Sequence, residues 1–204
     1  KGEIRESISY FKNAIERQTM LTPNPYSGEC YYNLATAYKL LGENNKAYDA
    51  YYKATWSSET KGASFYNLAV ICSQKKEYQK AYDFINQALI FNFHNMKARA
   101  LKAELMNKLG IDNSDFIDES HNIDPLNFAF NFMLGKVRAL ENDFLNLALD
   151  YIDYGFYDKA CKVLDMCPNT LSSYYKGYAY YKSGDIEKAK ECCQKGDSLS
   201  SDYV

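Results

Sequence analysis

The stretch Tyr32–Ala35 reads Tyr-Asn-Leu-Ala and recurs as Tyr66–Ala69, while Lys46–Asp49 reads Lys-Ala-Tyr-Asp and recurs as Lys80–Asp83. Both copies are displaced by 34 positions. A fixed period between about 20 and 50 residues is typical of repeat architectures. This internal repeat therefore decides the fold class.

Within each unit, the apolar residues follow the period of an α-helix in two stretches. In the first unit they are Tyr31, Leu34, Ala35, Tyr38 and Leu41, then, after a break at Gly42, Ala47, Tyr51 and Ala54. Glycine at such a break suits a helix end that adopts a left-handed conformation. Each unit is thus predicted to be a hairpin of two amphipathic helices, with small alanines where the helices approach and aromatic rings between neighbouring hairpins.

These positions resemble the tetratricopeptide repeat (TPR), whose pattern is an aromatic residue, Leu-Gly, Tyr, and later Ala, an aromatic residue and Pro. The matching residues are Tyr31, Leu34, Ala35, Tyr38, Ala47 and Tyr51; Phe65, Leu68, Ala69, Cys72, Ala81 and Ile85; Phe144, Leu147, Ala148, Tyr151, Gly155, Ala160 and Leu164; and Gly177, Tyr180, Gly184, Ala189 and Cys193. The resemblance implies an all-α fold, an α-α superhelix (solenoid) of antiparallel helix hairpins.

We expect residues 1–204 to form a single TPR array that is a fragment of a longer one. Its predicted parts are a half repeat at 1–22, repeats at 28–61, 62–95 and 96–125, an irregular helix at 126–142, and repeats at 143–168 and 172–199. The third repeat lacks the alanine and the aromatic residue of its second helix, so it is expected to pack less well. A change of curvature is expected near residues 126–145.

The composition narrows the function classes. The chain has 24 basic and 26 acidic side chains and a formal charge of −2, which disfavours nucleic-acid binding because such binding needs clustered Lys and Arg. Its 4 Pro and 10 Gly are too few for a sandwich of many short strands. No apolar run is long enough to cross a bilayer, so no membrane partner and a cytoplasmic location are predicted.

Residue types that could support catalysis or hold a metal are sparse and scattered. The two histidines are His94 and His121, and the six cysteines include no CxxC pair. An EF-hand beginning at Asp112 would need Gly at 117 and Glu at 123, and both positions hold Ile. We therefore predict no enzyme activity, no cofactor and no metal site, with Cys72, Cys167 and Cys193 filling core positions as reduced thiols.

Membership of the TPR family would give the chain a concave groove that receives a peptide or a partner's helix. The predicted groove residues, spaced along the first helices, are Tyr32, Asn33, Thr36, Lys39, Tyr66, Asn67, Val70, Ser73, Lys97 and Glu104. The carboxylate clamp of chaperone-binding TPR proteins is matched at two of five positions, Asn67 and Lys97, which does not support a clamp. An alternative is that Asn33 and Asn67 bond locally to neighbouring helices.

Two aromatic features of the sequence are candidates for contact with a partner. Trp56 is either an interface anchor or a cap over the adjacent hairpin. The tyrosines at 174, 175, 178, 180 and 181 offer more rings than one buried face takes, which favours contact with another domain or chain.

We interpret the chain as a non-catalytic scaffold for a protein or peptide partner whose identity is unknown. A second resemblance suggests another function. Segments such as Asn24–Glu29 and Leu147–Tyr151 are similar to large bacterial proteins in which a TPR array is joined to an uncharacterised β-rich domain similar to sugar mutarotases. The chain would then organise that domain within a carbohydrate-active protein.

Overall fold

The computed structural model describes residues 3–23, 25–137 and 140–200, and these residues form helices and turns without a strand. The helices are α1 Ile4–Thr19, α2 Glu29–Leu40, α3 Asn44–Ala54, α4 Ser58–Gln74, α5 Tyr78–Phe91, α6 Met96–Leu109, α7 Ser114–Ile123, α8 Phe128–Met133, α9 Glu141–Tyr154, α10 Tyr157–Asp165, α11 Thr170–Ser183 and α12 Ile186–Ser200.

The chain divides into two compact units, Lys1–Ile111 and Asp112–Val204. The first unit contains α1 to α6, and the second contains α7 to α12. The division falls inside 96–125, the stretch that lacks the packing residues of a second helix. The repeat boundaries given above stay predictions.

The first unit is built from helices that pack on their neighbours in the chain. α1 packs on α2, α2 pairs with α3, α4 pairs with α5, and α6 packs on α5. The core between the first two hairpins consists of Leu34, Ala35, Tyr38, Ala47, Ala50, Tyr51, Leu68 and Ile71. Ala35, Ala47 and Ala54 are fully buried, which confirms that small residues sit where the helices approach most closely.

The second unit contains the hairpins α9–α10 and α11–α12, with α10 packed on α11. Its buried residues include Leu147, Ala148, Tyr151, Ala160, Leu164 and Ala179. In the stretch predicted as an irregular helix, the six-residue helix α8 buries Phe130 completely. The rings of Phe128 and Phe144 meet edge to face at 5.0 Å. Arg138 and Ala139, also in that stretch, lie outside the described residues.

The predicted fold class is therefore confirmed: each unit is all-α and is built of antiparallel helix hairpins of the TPR-like, solenoid-forming kind. Among the helices of the described ranges, none is both long enough and apolar enough to cross a membrane.

The first helix of each of the first two hairpins ends in the same hydrogen-bonded turn. After α2, the N–H of Gly42 donates to the carbonyl of Lys39 (3.0 Å), and the N–H of Glu43 donates to that of Tyr38 (2.9 Å). After α4, the equivalent turn is centred on Lys76, whose φ is +62°, against +75° at Gly42. A left-handed conformation costs a side-chain-bearing residue free energy that glycine does not lose.

Replacing Lys76 by glycine is expected to stabilise the chain by up to about 1 kcal/mol, because relief of the left-handed strain exceeds the extra entropy of an unfolded glycine. Urea unfolding followed by circular dichroism measures the change. The matched control is Gly42→Lys, which places the same strain in the preceding turn and should lower stability by a similar amount. Equal stability of all three chains would contradict this account of the turn.

Candidate functional site

Asn67 connects the first helices of two successive hairpins. Its Nδ2 donates to the carbonyl of Ala63 (3.0 Å) on its own helix and to the hydroxyl of Tyr32 (3.4 Å) on α2. Its Oδ1 accepts a hydrogen bond from Lys39 Nζ at 3.3 Å, also on α2. Asn67 is 9% exposed, so its amide serves this local network. For Asn67, the alternative of a locally bonded amide is thus confirmed.

The neighbouring side chains on α2 are held in a similar way. Thr36 Oγ1 lies 3.0 Å from the hydroxyl of Tyr51 on α3. The ring of Tyr32 meets the ring of Tyr51 edge to face at 5.4 Å. Such contacts fix the rotamers of half-buried side chains and leave part of each accessible. α2 therefore presents Tyr32, Thr36 and Lys39 in one defined arrangement.

Three of the predicted groove residues are buried. Val70, Ser73 and Glu104 are 0%, 2% and 1% exposed, so no partner can reach them without rearrangement. The prediction assumed that α4 and α6 each keep an open stripe, but every residue from 67 to 73 of α4 is buried. These three residues are removed from the candidate surface.

The remaining predicted residues define what we call the first-helix surface. Lys97 is exposed at the start of α6, and the others are half-buried apart from the bridging Asn67. The surface is mixed in chemistry, with two ammonium groups, two phenol rings, amides and a hydroxyl. Its residues are Tyr32, Asn33, Thr36, Lys39, Tyr66, Asn67 and Lys97.

Trp56 belongs to a different part of the first unit. It is 43% exposed and, with Tyr52, lines a cavity of about 600 Å³. Exposure of this extent leaves part of Trp56 accessible to a partner, as the interface interpretation requires. This cavity was not predicted from the sequence, although Pro23 and Pro25, which also line it, mark the preceding loop.

The tyrosine-rich helix α11 has rings on more than one face. Tyr178 and Tyr181 are 45% and 61% exposed, whereas the hydroxyl of Tyr174 donates to Asp197 Oδ1 on α12 at 2.7 Å. Lys182 Nζ lies 5.5 Å from the centre of the Tyr178 ring. The expectation that one buried face cannot take all these rings is confirmed.

The cysteines differ in their surroundings. Cys72 is buried, as predicted, and burial raises the pKa of its thiol to about 11. Cys167 is half-buried and Cys193 is exposed, so the prediction of a core position is wrong for Cys193. The helical period placed it on the inner face of α12, and its Sγ does face Gly177 of α11, but this one neighbouring helix leaves the residue exposed.

Potential metal ligands do not gather into a group in the described ranges. No cluster of three or more His, Cys, Asp or Glu side chains that could hold a metal ion occurs there. His121 Nε2 lies 3.0 Å from Lys136 Nζ in the second unit.

Asn67→Ala is expected to lower the free energy of unfolding by about 1–2 kcal/mol, because the bonds to Lys39, Tyr32 and Ala63 are lost. Asn33 is the matched control, since it occupies the same position in the preceding repeat and is half-buried. Asn33→Ala should change stability by less than about 0.5 kcal/mol. Urea unfolding of both variants gives the comparison, and equal losses would mean that Asn67 is not a specific tie between the helices.

In the folded chain, Cys72 should react with iodoacetamide at least about a hundredfold more slowly than Cys193 at pH 8, because its raised pKa leaves little thiolate and burial limits access. Its rate should keep rising with pH up to about 11. Peptide mapping by mass spectrometry measures both rates. In urea the two rates should converge, and convergence without denaturant would refute the buried, protonated thiol.

Segments of both units match the model of a known repeat family. The family model described as "Tetratricopeptide repeat" matches residues 28–55, 63–89 and 172–203. A solved tetratricopeptide repeat protein from Parabacteroides merdae is 20% identical, with 97% of this chain and 73% of that chain covered and a TM-score of 0.57.

Two other solved structures are less similar in fold. YrrB, described as a TPR protein with an unusual peptide-binding site, is 17% identical over 95% of this chain and 93% of its own, with a TM-score of 0.49. MamA is 16% identical over 98% of this chain and 91% of its own, with a TM-score of 0.46. The family match and the fold of the Parabacteroides protein agree with the helix hairpins described above. Residues 28–55, 63–89 and 172–203 of this chain are therefore similar in sequence to tetratricopeptide repeats.

Proposed function

We propose that the chain is a non-catalytic scaffold that binds a peptide or partner domain on the first-helix surface. The observation that carries this proposal is the Asn67 bridge, which ties α2 to α4 through Tyr32 and Lys39. Two helices held in this way present their remaining polar and aromatic atoms at fixed spacing.

Fixed spacing matters because binding costs free energy whenever side chains must be ordered. Tyr32 and Thr36 already lose rotamer freedom through Tyr51, so a partner that contacts them would order little further. Tyrosine supplies contact area and a hydroxyl, and Lys39 and Lys97 supply positive charge. These properties fit an extended segment or helix that combines an apolar side chain with a carboxylate.

The test is selection of binding peptides from a displayed random library, followed by titration of the chain with the selected peptide. The double variant Tyr66→Ala with Lys97→Ala should weaken binding at least about tenfold, which corresponds to 1.4 kcal/mol. Each single change lies at or near the surface, and circular dichroism checks that the helices remain.

Tyr10→Ala with Lys12→Ala is the matched control, because it removes the same two residue types from exposed positions of α1, outside both the first-helix surface and the cavity beside Trp56. It should leave the affinity for that peptide unchanged. If the control weakens binding as much as the test variant, or if no peptide is selected, the proposed surface is wrong.

A second proposal is that the chain organises another domain of a larger bacterial, carbohydrate-active polypeptide. The exposed rings of Tyr178 and Tyr181 on α11 favour it, since such rings are common at protein interfaces. The complete coding sequence tests this proposal, which requires a β-rich domain beside the repeats. Bacterial origin and a cytoplasmic location stay predictions of the sequence analysis.

A further inference from the structure

The cavity beside Trp56, which we call the aromatic cavity, is lined mainly by rings. Tyr31, Tyr52, Trp56, Phe65 and Phe84 line it, and its volume is about 600 Å³. Ligand pockets typically occupy about 300–1,000 Å³ and are lined by apolar and aromatic side chains with a few polar groups. The aromatic cavity shares no residue with the first-helix surface.

The rings of the aromatic cavity are braced against one another. Phe65 and Phe84 stack at 6.0 Å between centres, and Phe84 meets Tyr48 edge to face at 6.2 Å. Tyr48 in turn stacks with Tyr52 at 6.4 Å. Tyr52 is 57% exposed, so a continuous series of rings leads from the core to an accessible face.

One wall of the cavity consists of proline rings from the preceding loop, Pro23 and Pro25, of which Pro25 is buried. The loop ends in a close contact, because a Cβ on Gly28 would lie 2.5 Å from Thr60 Oγ1 and 3.1 Å from the carbonyl oxygen of Ala54. The lining of the cavity thus combines two prolines of the chain with the aromatic rings.

The charges at the cavity favour a neutral occupant. Lys53 and Asp83 line it with opposite signs, so they offset each other. Lys53 Nζ lies 5.6 Å from the centre of the Tyr31 ring, where it takes the cation–π position that a cationic ligand would need. At the Tyr31 ring, an arginine or methylated lysine of a ligand would have to compete with Lys53 for the same position.

The polar groups of the lining include hydrogen-bond donors that could pair with the backbone carbonyls of a bound peptide. Trp56 carries an indole N–H, Tyr52 a hydroxyl and Gln87 an amide. A polyproline II helix has no internal hydrogen bonds, so its carbonyls are available to such donors. Aromatic-lined grooves that bind proline-rich segments combine the same two features, ring faces for proline and donors for carbonyls.

We propose that the aromatic cavity binds a proline-rich segment of a partner protein in the polyproline II conformation. Proline rings of the partner pack on Tyr52 and Trp56, and its carbonyls accept hydrogen bonds from the donors of the lining. This binding site is separate from the one proposed for the first-helix surface. The two sites can therefore be occupied together, either by one partner or by two.

Trp56 is the sole tryptophan of the sequence, so its fluorescence reports directly on the aromatic cavity. Titration of the chain with a synthetic proline decamer should give a saturable change in that fluorescence. Tyr52→Ala should weaken binding at least about tenfold, and Gln87→Ala at least about threefold. Tyr10→Ala is the matched control because Tyr10 on α1 is also exposed, at 65%, and it should leave binding unchanged.

Three control ligands, two peptides and one sugar, define the results that would contradict the proposal. A glycine-serine decamer, a lysine decamer and maltohexaose should each bind at least about tenfold more weakly than the proline decamer. The proposal is overturned if the proline decamer gives no saturable change up to about 1 mM, or if any of these probes binds as tightly. Retained proline binding in Tyr66→Ala with Lys97→Ala separates this result from the test of the first-helix surface.

Discussion

The close approach of neighbouring helices at alanine positions is the constraint on which the first unit depends. Ala35, Ala47 and Ala54 are fully buried, so the helices touch through methyl groups and leave no room for larger side chains. The large rings then have to pack beside these contacts, as Tyr38 and Tyr51 do in the core. Both the first-helix surface and the aromatic cavity are formed by residues that this packing leaves partly uncovered.

Much of the fold could be predicted from the sequence because its determinants are local and repeated. Three sequence signals predict the hairpins: the helical period, the 34-residue displacement and the break at Gly42. Each signal depends on residues close together in the chain, and the structure has helix hairpins at the predicted places. Lys76 escaped prediction because a lysine gives no signal of a left-handed turn. Only its equivalence to Gly42 in the repeat could have indicated it.

The candidate site was harder to predict because exposure depends on more than one neighbouring helix. A period of 3.6 divides a helix into an inner and an outer face, but Val70 and Ser73 lie in a segment of α4 that is buried throughout. Asn67 illustrates the same limit, since its role follows from the positions of Tyr32 and Lys39 on another helix. The aromatic cavity needs, in addition, the course of the loop that carries Pro25.

Tyr38 and Cys72 occupy equivalent positions in the first two repeats, yet they show that one repeat cannot simply replace the other. Tyr38 is 8% exposed, whereas Cys72 is 1% exposed and occupies a much smaller space. In a hybrid chain whose second repeat is a copy of the first, the phenol ring of a tyrosine would have to occupy the space of the Cys72 thiol. The neighbouring helices would have to separate to admit it. Lengthening this protein by duplicating one repeat would therefore require adjustment of side-chain volume at each new junction, even though the backbone pattern repeats.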